Sequence, residues 1–258
     1  MSTEITHKST CRICKGKNLS RILSFGPTPP ANAFLKTEEL SRSEYFYPLD
    51  VNLCATCGPV QLADVVDPRI LFKEYVYVSS TSPVFVAHFD AFATKVFTRF
   101  NLSKKSLVVD IGSNDGILLK PFKKLGARVL GVEPDTRIAG LARKAGIPTV
   151  SEFFTPETAK KLVKKYGQAD VVTATNVFAH IDDIHAVAQG VKTLLKREGV
   201  FIVEVPYLVD FLDKNLFDTV YHEHLSYFSV SALSRFFEGV GMKIVDVERV
   251  ASHGGSLR

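Results

Sequence analysis

Two Cys-x-x-Cys pairs, Cys11-Arg12-Ile13-Cys14 and Cys54-Ala55-Thr56-Cys57, hold all 4 cysteines of the chain. Each pair can present two thiolates from one tight turn, and two such turns complete a tetrahedral shell at the ~2.3 Å sulfur distance that zinc prefers. Gly16 and Gly58 follow the pairs and supply permissive backbone. Four thiolates leave zinc no open coordination position, so this metal would hold structure rather than do chemistry. Four unrelated buried cysteines are the plainer alternative, and they leave the paired spacing unexplained. A second cluster, Tyr221-His222-Glu223-His224-Leu225-Ser226-Tyr227, gathers histidines, a carboxylate and tyrosines. Such a set suits proton transfer, because histidine exchanges a proton near neutral pH. In an extended segment Tyr221, Glu223 and Leu225 would share one face and His222 and His224 the other; in a tight loop all could converge.

The elements that must carry these groups follow from apolar periodicity. Residues 106–111 read as a buried strand, ending in Gly112-Ser113-Asn114-Asp115-Gly116 before a helical pattern begins at Ile117. Strand 128–133, helix 135–145, a short strand at 148–150, helix 156–165, strand 170–174, helix 183–196 and strand 200–205 continue the alternation. This pattern predicts an α/β fold, a doubly wound parallel sheet with helices on both faces, preceded by the small cysteine module. Ligands of such sheets lie at the carboxyl ends of the strands, where Gly112 and Gly116 sit. Asp110 can order the loop or receive a cation, and Glu133, ending the second strand, can accept hydrogen bonds from ribose hydroxyls. A dinucleotide fingerprint needs Gly-x-Gly-x-x-Gly, and Asn114 stands at the middle glycine position, so the loop suits NAD poorly.

Composition limits the remaining classes. The chain has 258 residues, 46% hydrophobic and 23% charged, and a net charge of +5. That excludes wholesale disorder and leaves room for one large or two modest domains. Its basic residues are scattered, which disfavours a nucleic-acid partner. No signal-peptide core and no run of about 18 apolar residues is present, so a soluble, cytoplasmic protein off the membrane is expected. The oligomeric state stays open. Residues 65–70 read as a hinge out of the cysteine module.

The run D-I-G-S-N-D-G at 110–116 with V-E-P at 132–134 resembles the donor motifs of class I S-adenosylmethionine-dependent methyltransferases, with a Rossmann-like fold. The resemblance implies S-adenosylmethionine as cofactor, held by Asp110, Gly112, Asn114, Gly116, Glu133 and Asn176. The cysteine module in front, Y-H-E-H-L-S-Y-F-S at 221–229 and S-H-G-G-S-L-R at 252–258 together resemble sugar C-methyltransferases of nucleotide-linked 4-keto-deoxyhexoses. That family implies deoxysugar biosynthesis, with a nucleotide sugar, dTDP-linked, as the small-molecule partner. A base forms an enolate, which attacks the donor methyl group. His224 matches the base, Tyr221 and Glu223 match supporting positions, and His180 faces the site by analogy. Tyr75 and Tyr77 match a segment closing over donor or sugar, although packed strand aromatics would read the same.

The resemblance implies a zinc-binding domain at 1–70, a methyltransferase domain at 71–250 and the start of a C-terminal domain at 251–258. Relatives continue past H-G-G-S-L-R, so a truncated chain is expected, retaining donor binding but impaired in turnover. Methylation of an oxygen or nitrogen of another small molecule is an alternative, as is a non-catalytic zinc-containing binding module. A third reading makes His222, Glu223 and His224 ligands of a catalytic metal.

Overall fold

Between residues 106 and 206 strands and helices alternate in the order the sequence predicts. The computed structural model describes residues 4–71 and 79–258. In chain order its elements are β1 (Ile5–His7), β2 (Leu19–Thr28), β3 (Tyr47–Cys54), β4 (Val60–Leu62), β5 (Asp64–Val66), α1 (Pro68–Leu71) and α2 (Pro83–Arg99). Then come β6 (Leu107–Ile111), α3 (Leu119–Lys124), β7 (Arg128–Val132), α4 (Thr136–Lys144), β8 (Thr149–Val150), α5 (Pro156–Tyr166) and β9 (Ala169–Thr175). The remainder are α6 (Ile184–Leu194), β10 (Leu195–Pro206), α7 (Leu208–Asp213), β11 (Ser226–Tyr227), α8 (Val230–Gly239), β12 (Arg249–Val250) and β13 (Ser256–Leu257). Residues 65–70, expected as a hinge, form the end of β5 and the start of α1.

Backbone contacts divide the chain into two units. One collects the described residues of Met1–Val76 with Phe178–Ile184 and Glu204–Arg258; the other comprises those of Tyr77–Val177 with His185–Val203.

In the second unit β6 pairs in parallel with β7 and β9, and β7 with β8. Every residue of β6 is buried, as a central parallel strand covered on both faces requires. The helices start at identifiable caps. The Asp135 carboxylate accepts from the N–H groups of Arg137 and Ile138, and Thr155 caps α5 ahead of Pro156. Phe92, Leu118, Leu119, Phe122 and Val171 anchor its core.

The first unit is built on an antiparallel sheet ordered β11-β4-β3-β2, with β1 against β5. Leu49, Val51, Leu62, Phe211, Leu225 and Tyr227 form its core. Here too the end of β10 pairs with β13, Val205 opposite Leu257, and β13 pairs with β12. Glu204 is wholly buried, and Arg258 Nη2 reaches its carboxylate at 2.7 Å. No helix among the described residues is long and apolar enough to cross a membrane.

Candidate functional site

The first unit brings Cys11, Cys14, Cys54 and Cys57 together, their sulfur atoms all within 4.8 Å of one another. The separations of 3.5 Å (Cys11–Cys57), 3.7 Å (Cys14–Cys54) and 3.6 Å (Cys54–Cys57) exceed any disulfide. They match the edge of about 3.8 Å of a tetrahedron with ~2.3 Å metal–sulfur bonds, so the four residues fit a zinc ion. Burial raises the Cys54 thiol, but the N–H groups of Cys57 and Thr56 outweigh it and bring it down to about 7, which favours the thiolate a metal requires. The turns need their glycines: Gly58 has φ +82°, and Cys54 O accepts from Gly58 N at 2.9 Å.

In the second unit β6 runs into the glycine loop. Gly112 has φ +67°, and a Cβ there would stand 2.7 Å from Cγ2 of Val177, so both backbone conformation and space demand glycine. Gly116, at φ +81°, faces Ile147 in the same way. Asn114 takes φ +49°, a left-handed conformation asparagine tolerates, which is how it replaces a glycine. Glu133 braces the loop: its Oε2 accepts from Asn114 N and its Oε1 from Asp135 N, each at 3.0 Å. Burial raises the Glu133 carboxyl, and these two donors oppose the rise. Asp110, wholly buried, is pushed up to about 7 by desolvation against the 2.6 Å hydrogen bond donated by Thr173 Oγ1. Asn176 also sits at positive φ, +56°, with a buried Oδ1 that has no partner among the described residues. Ser113 Oγ and Asp115 Oδ1 are buried without partners as well. Unpaired buried acceptors beside a loop whose two glycines leave no room for a Cβ fit a polar ligand bearing N–H and O–H donors. Tyr75 and Tyr77 lie outside the described residues.

The histidine cluster belongs to the first unit, where residues 221–225 form a tight turn rather than a strand, so the loop alternative holds. His224 Nδ1 lies 2.9 Å from Thr219 O, and its Nε2 lies 3.0 Å from Tyr221 Oη. A carbonyl oxygen only accepts, so Nδ1 carries the hydrogen and Nε2 presents its lone pair to the Tyr221 hydroxyl. The His180 ring centroid is 5.0 Å from that of His224. Burial pulls His224 down to about 4, with a lesser contribution from His253. Burial also lowers His180 well below the usual imidazole range, assisted by His224 and His253. As a residue type histidine exchanges a proton near neutral pH; enclosure changes that here, because an imidazolium loses its hydration.

Glu223 is buried, its Oε1 accepting from Asn32 Nδ2 at 2.6 Å, while Oε2 is without a partner among the described residues. Desolvation raises its carboxyl. His222 turns elsewhere: its Nε2 donates to Tyr47 O at 3.1 Å, and the ring packs edge-on against Tyr47. Among the described residues the only group of His, Cys, Asp and Glu side chains close enough to share a metal is the cysteine set, so His222, Glu223 and His224 do not assemble as a ligand cluster.

Comparison with known proteins places these features in a family. Residues 86–247 match the family described as "Methyltransferase domain". The chain belongs to that methyltransferase family. Residues 11–72 match a further family, "Putative zinc binding domain", which spans all four cysteines. The chain is 40% identical over 247 residues to the C-methyltransferase NovU of Streptomyces niveus, covering 96% of this chain and 59% of that protein. It is 26% identical to a ubiquinone biosynthesis O-methyltransferase of Methylobacterium sp. (strain 4-46), covering 57% of this chain and 63% of the relative. The chain thus spans about three fifths of the length of these relatives. Among solved structures it is similar to an S-adenosylmethionine-dependent methyltransferase from Archaeoglobus fulgidus, with TM-score 0.52 and 18% identity over 64% of this chain and 72% of that one. It is also similar to magnesium protoporphyrin IX methyltransferase from Synechocystis PCC 6803 with bound S-adenosylhomocysteine, with TM-score 0.51 and 16% identity over 67% and 83% of the two chains. These likenesses show the fold, a class I methyltransferase sheet.

Several residues of the site carry no signal in the sequence. Thr219 supplies a carbonyl that any residue could offer, and Asn32 sits in a Pro-rich loop with no signal of its partner 191 residues away. His253 stands in S-H-G-G-S-L-R, yet only the fold brings its charge to bear on His180 and His224. It adopts φ +51°, next to Gly254 and Gly255.

Proposed function

We propose that the chain is the donor-binding and base-bearing part of an S-adenosylmethionine-dependent C-methyltransferase acting, in the cytoplasm, on a nucleotide-linked 4-keto-deoxysugar, with dTDP as the expected nucleotide. The observation that carries the reading is His224, neutral, fixed in its Nδ1–H tautomer and presenting Nε2 to Tyr221. The name of the Streptomyces niveus relative, a C-methyltransferase, supports carbon as the acceptor.

Carbon beside a ketone becomes a nucleophile only once a proton is removed. His224 Nε2 takes that proton, and its hydrogen bond to Thr219 O keeps the ring oriented as it becomes imidazolium. A buried imidazolium is costly alone, but the same step creates an enolate, and the two opposite charges stabilise each other where water is scarce. His180 is a donor available to the enolate oxygen, and Tyr221 becomes one when Nε2 is protonated and no longer accepts from its hydroxyl. Glu223, steadied by Asn32, offers its second oxygen to a substrate hydroxyl. Bound S-adenosylmethionine supplies an electrophilic methyl group on sulfur; Gly112, Gly116, Asn114, Glu133 and Asn176 are the residues that would hold it, with Asp110 bracing the strand beneath. Zinc held by the four cysteines is structural.

Two measurements test the reading. Calorimetry should show S-adenosylhomocysteine binding and no NAD binding. Incubation of a dTDP-4-keto-6-deoxyhexose in deuterium oxide should show exchange at the carbon beside the ketone, abolished by His224→Ala. With labelled donor, carbon NMR distinguishes a new carbon–carbon bond from a methyl ether. An ether product, or exchange unaffected by His224→Ala, overturns the proposal.

A further inference from the structure

Arg12 lies between metal-ligand residues in Cys11-Arg12-Ile13-Cys14, yet it is only 4% exposed. Its side chain spends itself on two distant partners. Nη1 donates to Leu62 O at 2.9 Å, and Nε donates to Asp182 Oδ1 at 3.1 Å. Asp182 follows His180 by two residues, just past the short 3-10 turn Phe178–His180, and also pairs with Lys8 at 2.5 Å. The backbone of Arg12 makes a third link, its N–H donating to Gln61 Oε1 at 2.8 Å. Gln61 is in β4 and pairs with Ser226 of β11, while Leu62 N donates to Leu225 O at 3.0 Å. One residue of the knuckle therefore touches the segment carrying His180 and, through β4, the segment carrying His224. The two rings those segments present lie 5.0 Å apart.

We propose that Arg12 is a positioning residue, through which the cysteine knuckle holds His180 against His224. A buried guanidinium needs fixed negative partners, and Asp182 is one. The four thiolates are the other: with a divalent ion they keep a net charge of −2, which favours the cation beside them. The planar fork suits this role because it fixes direction as well as charge, which a lysine does not. The cysteines thus do more than stabilise their own module; they set the spacing of two imidazoles outside it.

This inference rests on the proposed function only for its kinetic consequence, since the coupling itself is read from spectra. The test compares wild type, Asp182→Asn, Arg12→Met and Arg12→Lys by zinc content, by the side-chain nitrogen resonances of His180 and His224, and by steady-state kinetics. Asp182→Asn should retain its zinc, shift the His180 and His224 signals, and lower kcat about 10-fold, the lower end of what outer-shell changes at metal sites cost. Its affinity for S-adenosylhomocysteine should stay unchanged, because Asp182 is not among the residues that would hold the donor. Arg12→Met should shift the same signals, and Arg12→Lys should restore them only in part. Arg235→Ala removes the 3.0 Å contact of Arg235 with Thr56 O in the other knuckle and should leave both imidazoles unmoved. If Arg12→Met does not fold, Asp182→Asn carries the test. Unchanged imidazole signals in Asp182→Asn overturn the proposal whether or not kcat falls. Shifted signals in a protein whose turnover does not depend on His224 would leave the coupling standing and remove the proposed function instead.

Discussion

Tyr221 Oη stands 3.0 Å from Nε2 of His224, in a ring whose Nδ1 is already committed to Thr219 O at 2.9 Å. The imidazole therefore has one lone pair to offer and one direction in which to offer it. His224→Ala should lower turnover by about 10²–10⁴-fold, the usual contribution of a positioned base, while leaving S-adenosylhomocysteine binding intact. Tyr221→Phe should cost less, because it removes a donor and leaves the base. Rates of deuterium exchange beside the ketone, measured on both variants, check the order.

The His224 depression to about 4 gives a pH signature. Its folded value lies below the ordinary imidazole value, so the stability it contributes is present above about pH 6.5 and is lost as pH falls through about 4, amounting to about 3 kcal/mol. An NMR titration should show the His224 ring neutral at pH 6, where a solvent-exposed histidine is mostly charged. A midpoint near 6.5 would contradict this.

Gly112→Ala should weaken S-adenosylhomocysteine binding and destabilise the protein by about 1–3 kcal/mol, because alanine meets both a left-handed backbone and Val177. Asn176→Ala removes a buried acceptor just past β9 and should cost about 1 kcal/mol of affinity, roughly fivefold. Calorimetric titration with matched thermal melts separates the two effects.

Zinc analysis should return one ion per chain. Cys54→Ser should lower both metal content and melting temperature, since structural zinc contributes folding energy directly. Chelation of the wild type should reproduce the lowered melting temperature, and zinc should reverse it.

The strands β6, β7 and β9 were legible in the sequence because a parallel strand buried on both faces must be a continuous apolar run, whatever its neighbours. The glycine loop was legible because positive φ and close approach restrict the residue type locally. Cysteine spacing announced the metal set for the same reason: two ligands come from each turn.

Tertiary structure decided the rest. The residue types of Tyr221-His222-Glu223-His224 do not say where each side chain points; chain folding turns His222 toward Tyr47 O, sets His224 beside Tyr221, Thr219 and His180, and gives Glu223 to Asn32. The unit that holds His224 is assembled from three separate stretches of chain, so no linear window contains it. Arg12 shows the limit most plainly. Its type and position were visible between two cysteines, but its burial and its reach to Asp182, 170 residues on, depend on packing across the fold. Residue spacing determines which ligands and turns are possible, while desolvation and long-range partners, which set the charge and direction of each side chain, exist only once the chain has folded.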